Sequence, residues 1–230
     1  MTAEVPGKLI GTGRSADVYD IGGGRVLRRY RDARPAQRVD TEAAVMVHAR
    51  AHGVPVPEVF EVSGLDIVME RVTGPTMLDA VGSRPWTLTA QARLLARLHN
   101  LVHHVPLAGL ATSLRTPFGP GEALLHWDLH PQNVILTADG PVIIDWEGAA
   151  QGPAAADIAM TWVILGFSVI PGPRLKALAL GRFQALFTQT FVRAAGGLDE
   201  GSRLAAVRIR LADPHLLPAE TARLQKLAGN

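Results

Sequence analysis

The stretch Leu124 to Glu147, LLHWDLHPQNVILTADGPVIIDWE, constrains this chain more than any other. It reads as a short apolar run, a polar loop from His126 to Asn133, a strand Val134–Leu136, a turn at Ala138-Asp139-Gly140, and a strand Val142–Ile144 ending on Asp145. Two strands joined by a tight turn therefore carry Asp128, Asn133 and Asp145 on their loop ends, where side chains can handle charge.

The rest of the chain must supply a frame for that hairpin. With 230 residues, 47% of them hydrophobic, it suits one compact domain or two small lobes with an ample core. Zero cysteines exclude disulfides, thiolate zinc sites and a cysteine nucleophile, and a reducing cytoplasm fits best. The start, MTAEVPGK, lacks a signal pattern, and the longest stretch free of charged residues and histidine, Ile158 to Pro173, is 16 residues and ends in Pro-Gly-Pro. That is too short and broken for a membrane span and reads as a buried helix. A net charge of +2 and a pI near 9.4, without a Lys/Arg block or aromatic-basic interleaving, argue against nucleic acid as a partner.

From Lys8 the residues predict three antiparallel strands, with a glycine-rich first turn at Gly11-Thr-Gly13 and a Gly22-Gly-Gly24 hairpin before Arg25 to Tyr30. A dinucleotide-binding reading of Gly11-x-Gly13-x-x-Ala16 would need a helix next, yet Val18 to Ile21 is strand-like. Val39 to Ala51 has helical composition, with Glu42 in its first turn and His52-Gly53 as a stop. Val54-Pro-Val-Pro57 is an extended connector, and Val59–Val62 and Leu65–Met69 are two further strands. Residues 1–70 thus form a five-stranded antiparallel sheet plus one helix, residues 71–75 a hinge, and residues 76–230 a mainly helical second lobe: an α+β, two-lobed plan.

In the second lobe Thr87 is placed to cap a helix whose Leu94, Leu98 and Leu101 share a face, with Leu95 and Val102 beside it. His99, His103 and His104 lie on or just past it. Three histidines invite a metal reading, but their spacing brings no acidic partner and favours packing or solvent exposure. Asp157 opens a helix apolar nearly all round, and Leu175–Ala194, Leu204–Leu211 and Ala219–Leu227 read as further helices.

Phosphoryl transfer asks little covalent chemistry of a protein: phosphates held, their charge neutralised, and a carboxylate near the attacking hydroxyl. The chain offers a candidate for each part. Gly11 and Gly13 give backbone donors, Arg28 a fixed positive charge and Glu42 a partner for it, Asn133 and Asp145 oxygen ligands for Mg²⁺, and Asp128 a base. Their order matches the protein-kinase signature set: a glycine-rich loop running to Val18, Arg25-Val-Leu-Arg28, His126-x-Asp128-x-x-x-x-Asn133, and Asp145-Trp-Glu147.

His-Trp-Asp-Leu-His-Pro-Gln-Asn followed by Ile-Ile-Asp-Trp-Glu, with Leu95-Ala-Arg-Leu-His99 before it and Ala156-Asp157-Ile-Ala after it, resembles the aminoglycoside phosphotransferase and choline kinase branch of the protein-kinase-like superfamily. His130 marks that branch, and the resemblance runs from residue 8 to about 165. It implies a kinase-like fold and an enzyme that moves the γ-phosphate of ATP to a small-molecule hydroxyl, with GTP left open as donor. Asp128 is then the catalytic base, His130 braces the loop or touches substrate, and Asn133 and Asp145 hold Mg²⁺, with Glu147 a further ligand. Arg28 stands where the family has its phosphate-contacting lysine, with Glu42 as its helix partner. Adenine is placed against Met69, the Glu70 carbonyl and the Val72 amide. Asp157 takes the place of a buried acid that hydrogen-bonds the catalytic loop.

The acceptor is less legible. Arg71 to Leu125, 55 residues, is a compact interval for building a substrate cleft. From Gly148 onward nine Lys/Arg stand against five Asp/Glu, a balance of +4. A polycationic aminoglycoside calls for a carboxylate-lined cleft, so a less cationic hydroxyl compound is expected. Two other readings stand beside this one: a protein kinase with a trimmed second lobe, disfavoured because no Ala-Pro-Glu-like segment follows Asp145, and a nucleotide-binding pseudokinase acting as an interaction module.

Overall fold

The computed structural model describes residues 7–31, 36–110, 114–167, 174–214 and 216–229. Strands β1 (Lys8–Thr12), β2 (Ala16–Gly22), β3 (Arg25–Tyr30), β4 (Val59–Ser63) and β5 (Asp66–Glu70) form one antiparallel sheet in the order β1-β2-β3-β5-β4. Helix α1 (Ala36–Ala51) lies between β3 and β4 in the chain and buries Val39, Ala43, Val45, Met46 and Ala49. Those apolar positions recur at helical spacing, so the helix is held by packing on the first-lobe core rather than by propensity alone. The polar link at residues 32–35 that precedes α1 lies outside the described residues.

The hinge leaves β5 at Glu70 and crosses to the second lobe against the β7–β8 hairpin, β7 being Val134–Thr137 and β8 Gly140–Ile143. Gly74 adopts φ +152, and a Cβ built there would sit 2.3 Å from the Leu136 carbonyl oxygen, so only glycine lets the linker lie this close. Two residues on, Thr76 opens helix α2 (Met77–Ser83) with a capping box. Its hydroxyl accepts from the Asp79 amide at 3.1 Å, and the Asp79 carboxylate accepts from the Thr76 amide at 3.2 Å.

Helix α3 (Leu88–His103) differs from its sequence reading in two respects. Thr87 sits in the αR region and makes no side-chain cap; its hydroxyl closes a short 3₁₀ turn by donating to Arg84 O at 2.7 Å. Leu95, Leu98 and Val102 are buried together with Leu88, Ala92, Ala96 and His99, whereas Leu101 is 45% exposed, so the buried stripe is centred on Leu95, Leu98 and Val102 rather than on Leu94-Leu98-Leu101. That rotation points His99 inward.

The remaining elements are β6 (Ala123–Leu125) paired with β9 (Ala150–Gly152), then α4 (Ala154–Phe167), α5 (Arg174–Ala194), α6 (Glu200–Leu211) and α7 (Pro218–Ala228). Helix α3 packs along α5, and α4 packs along α6. Residues 168–173, which close the long uncharged stretch, lie outside the described residues. Among those described, no helix is long and apolar enough to cross a membrane. Gly74→Ala forces a Cβ into the Leu136 backbone in a strained conformation, and a loss of about 1–3 kcal/mol is expected from urea unfolding; unchanged stability would show that the linker does not need this contact.

Candidate active site

The polar loop at His126 to Asn133 is fixed from behind by one carboxylate. Asp157, on α4 and fully buried, accepts from the Trp127 amide through Oδ1 at 2.8 Å and from the His126 amide through Oδ2 at 3.2 Å. His99 Nδ1 at 3.3 Å and His103 Nε2 at 3.0 Å meet the same Oδ2. The acidic partner missing from the local spacing of these histidines is thus supplied 54 and 58 residues along the chain. His99, His103 and Asp157 cluster tightly enough to be considered as metal ligands, but their facing atoms already meet at hydrogen-bond distances and Asp157 is also holding two loop amides. The arrangement is a brace for the loop. His104 turns away, its Nδ1 2.7 Å from Asn100 O.

Burial would raise the Asp157 carboxyl, yet the hydrogen bonds and charges of His103 and His99 hold it far below the ordinary carboxylate range. His126 is also buried, with Nδ1 accepting from the Asp128 amide at 3.4 Å and Nε2 meeting Ile144 O at 3.1 Å. Burial pushes its pKa down, which favours a neutral ring bridging the loop to β8.

On this brace the loop presents Asp128, His130 and Asn133 together. Asn133 Nδ2 donates to Asp128 O at 2.8 Å, which turns its amide oxygen into the atom it can offer a cation. His130 Nε2 stands 3.6 Å from Asp128 Oδ1, while its Nδ1 accepts from the Gln132 amide at 3.3 Å. Burial opposes the Asp128 charge, but the hydrogen bond and charge of His130, with Arg14 nearby, outweigh it and hold the carboxyl below its ordinary value. Asp128 is therefore a carboxylate, ready to accept a hydrogen bond.

Arg28 joins the lobes. It sits on β3 opposite Ile67 of β5, and its fork reaches both ways: Nη1 to Glu42 Oε1 of α1 at 2.8 Å, and Nη2 to Asp145 Oδ1 at 2.7 Å. Glu147 Oε2 lies 3.6 Å from the same Nη2 and accepts from the Ser15 hydroxyl at 2.6 Å. Burial works against the Arg28 charge, and the carboxylates of Glu42 and Asp145 more than restore it. Glu42 is buried, which lifts its carboxyl above the usual range, and it is held by Arg28 and the Tyr30 hydroxyl.

A cleft of about 700 Å³ runs between the lobes. Of the residues singled out from sequence, Gly13, Val18, Arg28, Met69, Glu70, Val72, Asp128, Asn133, Asp145 and Glu147 line it. Gly11, Glu42 and His130 do not. Gly11 lies within β1 beside a register shift, and a Cβ there would meet Val18 only at ordinary contact distance, so nothing demands glycine. The sequence reading missed Ser15, Trp127, Arg210 and Asp213, all of which line the cleft. Asp145 and Glu147, carboxylates gathered around one cation, with the oriented amide oxygen of Asn133 on the same wall, are a hard-oxygen donor set of the kind that holds Mg²⁺.

Asp157→Ala removes the acceptor of two loop amides and two imidazoles, and a loss of about 3–5 kcal/mol in urea unfolding is expected. A carboxyl depressed in the native state stays ionised while the unfolded chain takes up a proton. Its contribution is therefore complete above about pH 4 and is lost as pH falls further. Unfolding midpoints of wild type and Asp157→Ala should converge below that pH; a gap that stays constant would contradict the assignment.

The family model described as "Phosphotransferase enzyme family" matches residues 6–120 and 110–198. A stretch of 41 residues is 46% identical to a thiamine kinase of Salmonella paratyphi B, a match that covers 18% of this chain and 15% of that relative. The fold is similar to that of a choline/ethanolamine kinase family protein from Mesorhizobium loti, at a TM-score of 0.59 and 20% identity over 100% of this chain and 90% of that one. It is also similar to that of the Plasmodium vivax ethanolamine kinase, at a TM-score of 0.64 and 13% identity over 96% and 80%. With its five-stranded first lobe and helical second lobe, the chain has the kinase-like fold and belongs to the phosphotransferase enzyme family.

Proposed function

We propose that the protein transfers the γ-phosphate of ATP, with Mg²⁺, to a hydroxyl group of a small molecule. The observation that carries this reading is the convergence of Asp128, Asn133, Asp145 and Glu147 on one cleft that Arg28 spans from the opposite lobe. In the proposed reaction the Gly13 turn and Arg28 hold the phosphates, and Asp128 accepts the hydroxyl proton as the acceptor oxygen bonds to the γ-phosphorus. The bond from that phosphorus to the β-phosphate oxygen breaks, and the nucleoside diphosphate leaves. Mg²⁺, held by Asp145, Asn133 and Glu147, would neutralise phosphate charge.

The hinge suits a nucleotide base. Glu70, Arg71 and Val72 line the cleft, and two of their side chains are engaged, Glu70 Oε2 accepting from the Glu58 amide at 3.1 Å and Arg71 pairing with Asp20. On the acceptor side, the +4 balance after Gly148 favours a compound less cationic than an aminoglycoside. A cytoplasmic setting, where ATP is plentiful, belongs to the same reading.

Thiamine, ethanolamine, choline and kanamycin, each offered with ATP or GTP and Mg²⁺ in a coupled diphosphate-release assay, test the proposal. ATP turnover dependent on one of the smaller hydroxyl compounds is expected, with kanamycin the poorest acceptor. Asp128→Ala should lower kcat by about 10²- to 10⁴-fold while ATP affinity, read by calorimetry, stays within a few-fold. ATP binding with no transfer in either protein would instead favour the pseudokinase.

A further inference from the structure

We propose that the Trp127 indole is the specificity-determining wall of the acceptor site and that the acceptor carries a flat aromatic ring next to its reactive hydroxyl. This rests on the phosphotransfer reading of the same cleft.

The first observation is conformational. Among the described non-glycine residues only Trp127, at φ +75, and Asp145, at φ +65, have positive φ. A bulky side chain rarely adopts this region, and glycine would do so without cost. The local geometry cannot relax, because Asp157 holds the Trp127 amide at 2.8 Å and the next residue is Asp128. The loop therefore keeps an indole at a position where the backbone would be easier without one. Strain retained beside a reactive carboxylate points to a function for the side chain.

The second observation is where the ring lies. Trp127 is half-buried and lines the cleft. Phe118 meets it edge-on, with centroids 5.0 Å apart at 65°. Gly148 leaves room for it, since a Cβ there would lie 3.2 Å from Trp127 Cβ. Trp127 is thus packed against Phe118 while it contributes to the lining of the cleft.

The third observation is the chemistry of other residues that line the same cleft. Met160 and Ile164 of α4, with Ile209 and Ala212 from the end of α6, line the same cleft and are apolar. The charged pair there, Arg210 and Asp213, is closed on itself at 2.9 Å. Asp145 and Glu147 face Arg28. With Asp145 and Glu147 facing Arg28 and Asp213 facing Arg210, the apolar lining and the indole suit an aromatic body; an indole face also attracts an ammonium group, so choline is the acceptor against which the proposal is set.

The test compares kcat/KM, with ATP and Mg²⁺, for 2-phenylethanol and the size-matched 2-cyclohexylethanol in wild type, Trp127→Phe and Trp127→Leu, beside choline. Wild type should prefer the aromatic alcohol by about tenfold. Trp127→Phe should keep most of that preference. Trp127→Leu, which still fills the space beside Phe118, should lose it, with a Tm close to that of the Phe variant. A residue that only packs against Phe118 would lower both alcohols alike and leave the ratio unmoved. The proposal is overturned if wild type shows no preference, if choline is the better acceptor, or if the ratio survives in Trp127→Leu. Should the Leu variant not fold, the wild-type and Phe ratios decide. Calorimetric ADP binding separates the two levels: no nucleotide binding and no transfer sinks the phosphotransfer reading, whereas nucleotide binding with indifferent or choline-preferring transfer sinks only the aromatic one.

Discussion

A single buried carboxylate holds the reactive loop in place. Asp157 has no exposure and accepts four donors, two of them backbone amides of the loop and two the imidazoles of α3. Burying an ionised group without partners would cost several kcal/mol, so its position and that of the loop determine one another. The grip extends further. Thr161, one turn along α4, donates to Leu129 O at 2.9 Å, and His99 Nε2 approaches the same oxygen at 3.3 Å. The loop is thereby clamped between α3 and α4 on either side of Asp128. The strained Trp127 backbone persists because these surroundings over-determine it.

Arg28 does for the two lobes what Asp157 does for the loop. A lysine ammonium is a compact charge on a flexible stem, whereas the planar guanidinium satisfies two carboxylates in fixed directions at once. Here one nitrogen serves Glu42 and the other Asp145, so arginine couples the placement of α1 to that of the carboxylate proposed to hold a cation. The Arg28 side chain is only 13% exposed and that of Glu42 2%, which makes this an obligate pair rather than a surface one. In the proposed reaction the Asp145 contact is the one with which a nucleotide and cation would compete, since Asp145 is 43% exposed at the cleft and Glu42 is sealed behind the arginine.

What the sequence made legible follows from range. The five strands, the helix between them and the β7–β8 hairpin rest on local alternation and turn residues, and each appears within a few positions of its expected place. Strands β6 and β9, at three residues each, are too short to carry a pattern, and they pair across 25 to 29 positions. The partners of His99 and His103 were illegible for the same reason, since the acid closing the cluster arrives on another helix. Helix α2 did leave a signal, the Thr76-x-x-Asp79 box, directly after the hinge. Thr87 shows the reverse failure: a good capping residue drawn instead into a turn set by Pro85. Trp127 could not be read as strained, because positive φ is imposed by Asp157 and not by its neighbours in the chain.

The donor and acceptor sides of the cleft differ in how they are encoded. Everything proposed to handle nucleotide and cation, from Gly13 to Glu147, lies inside the span that matches the family, which ends at residue 198. Helix α6 begins at Glu200, yet its C-terminal end brings Ile209, Arg210, Ala212 and Asp213 to the cleft wall. It reaches that wall by packing on α4, the helix that also carries Asp157 and, one turn on, Met160 and Ile164. One helix therefore fixes the His126–Asn133 loop with its first turn and lines the cleft with its next two. Under the proposed phosphotransfer, a change in how α6 seats on α4 would reshape that wall without touching Asp128, Asp145 or Glu147, so α6 is the element through which acceptor choice would vary while the proposed chemistry stays the same.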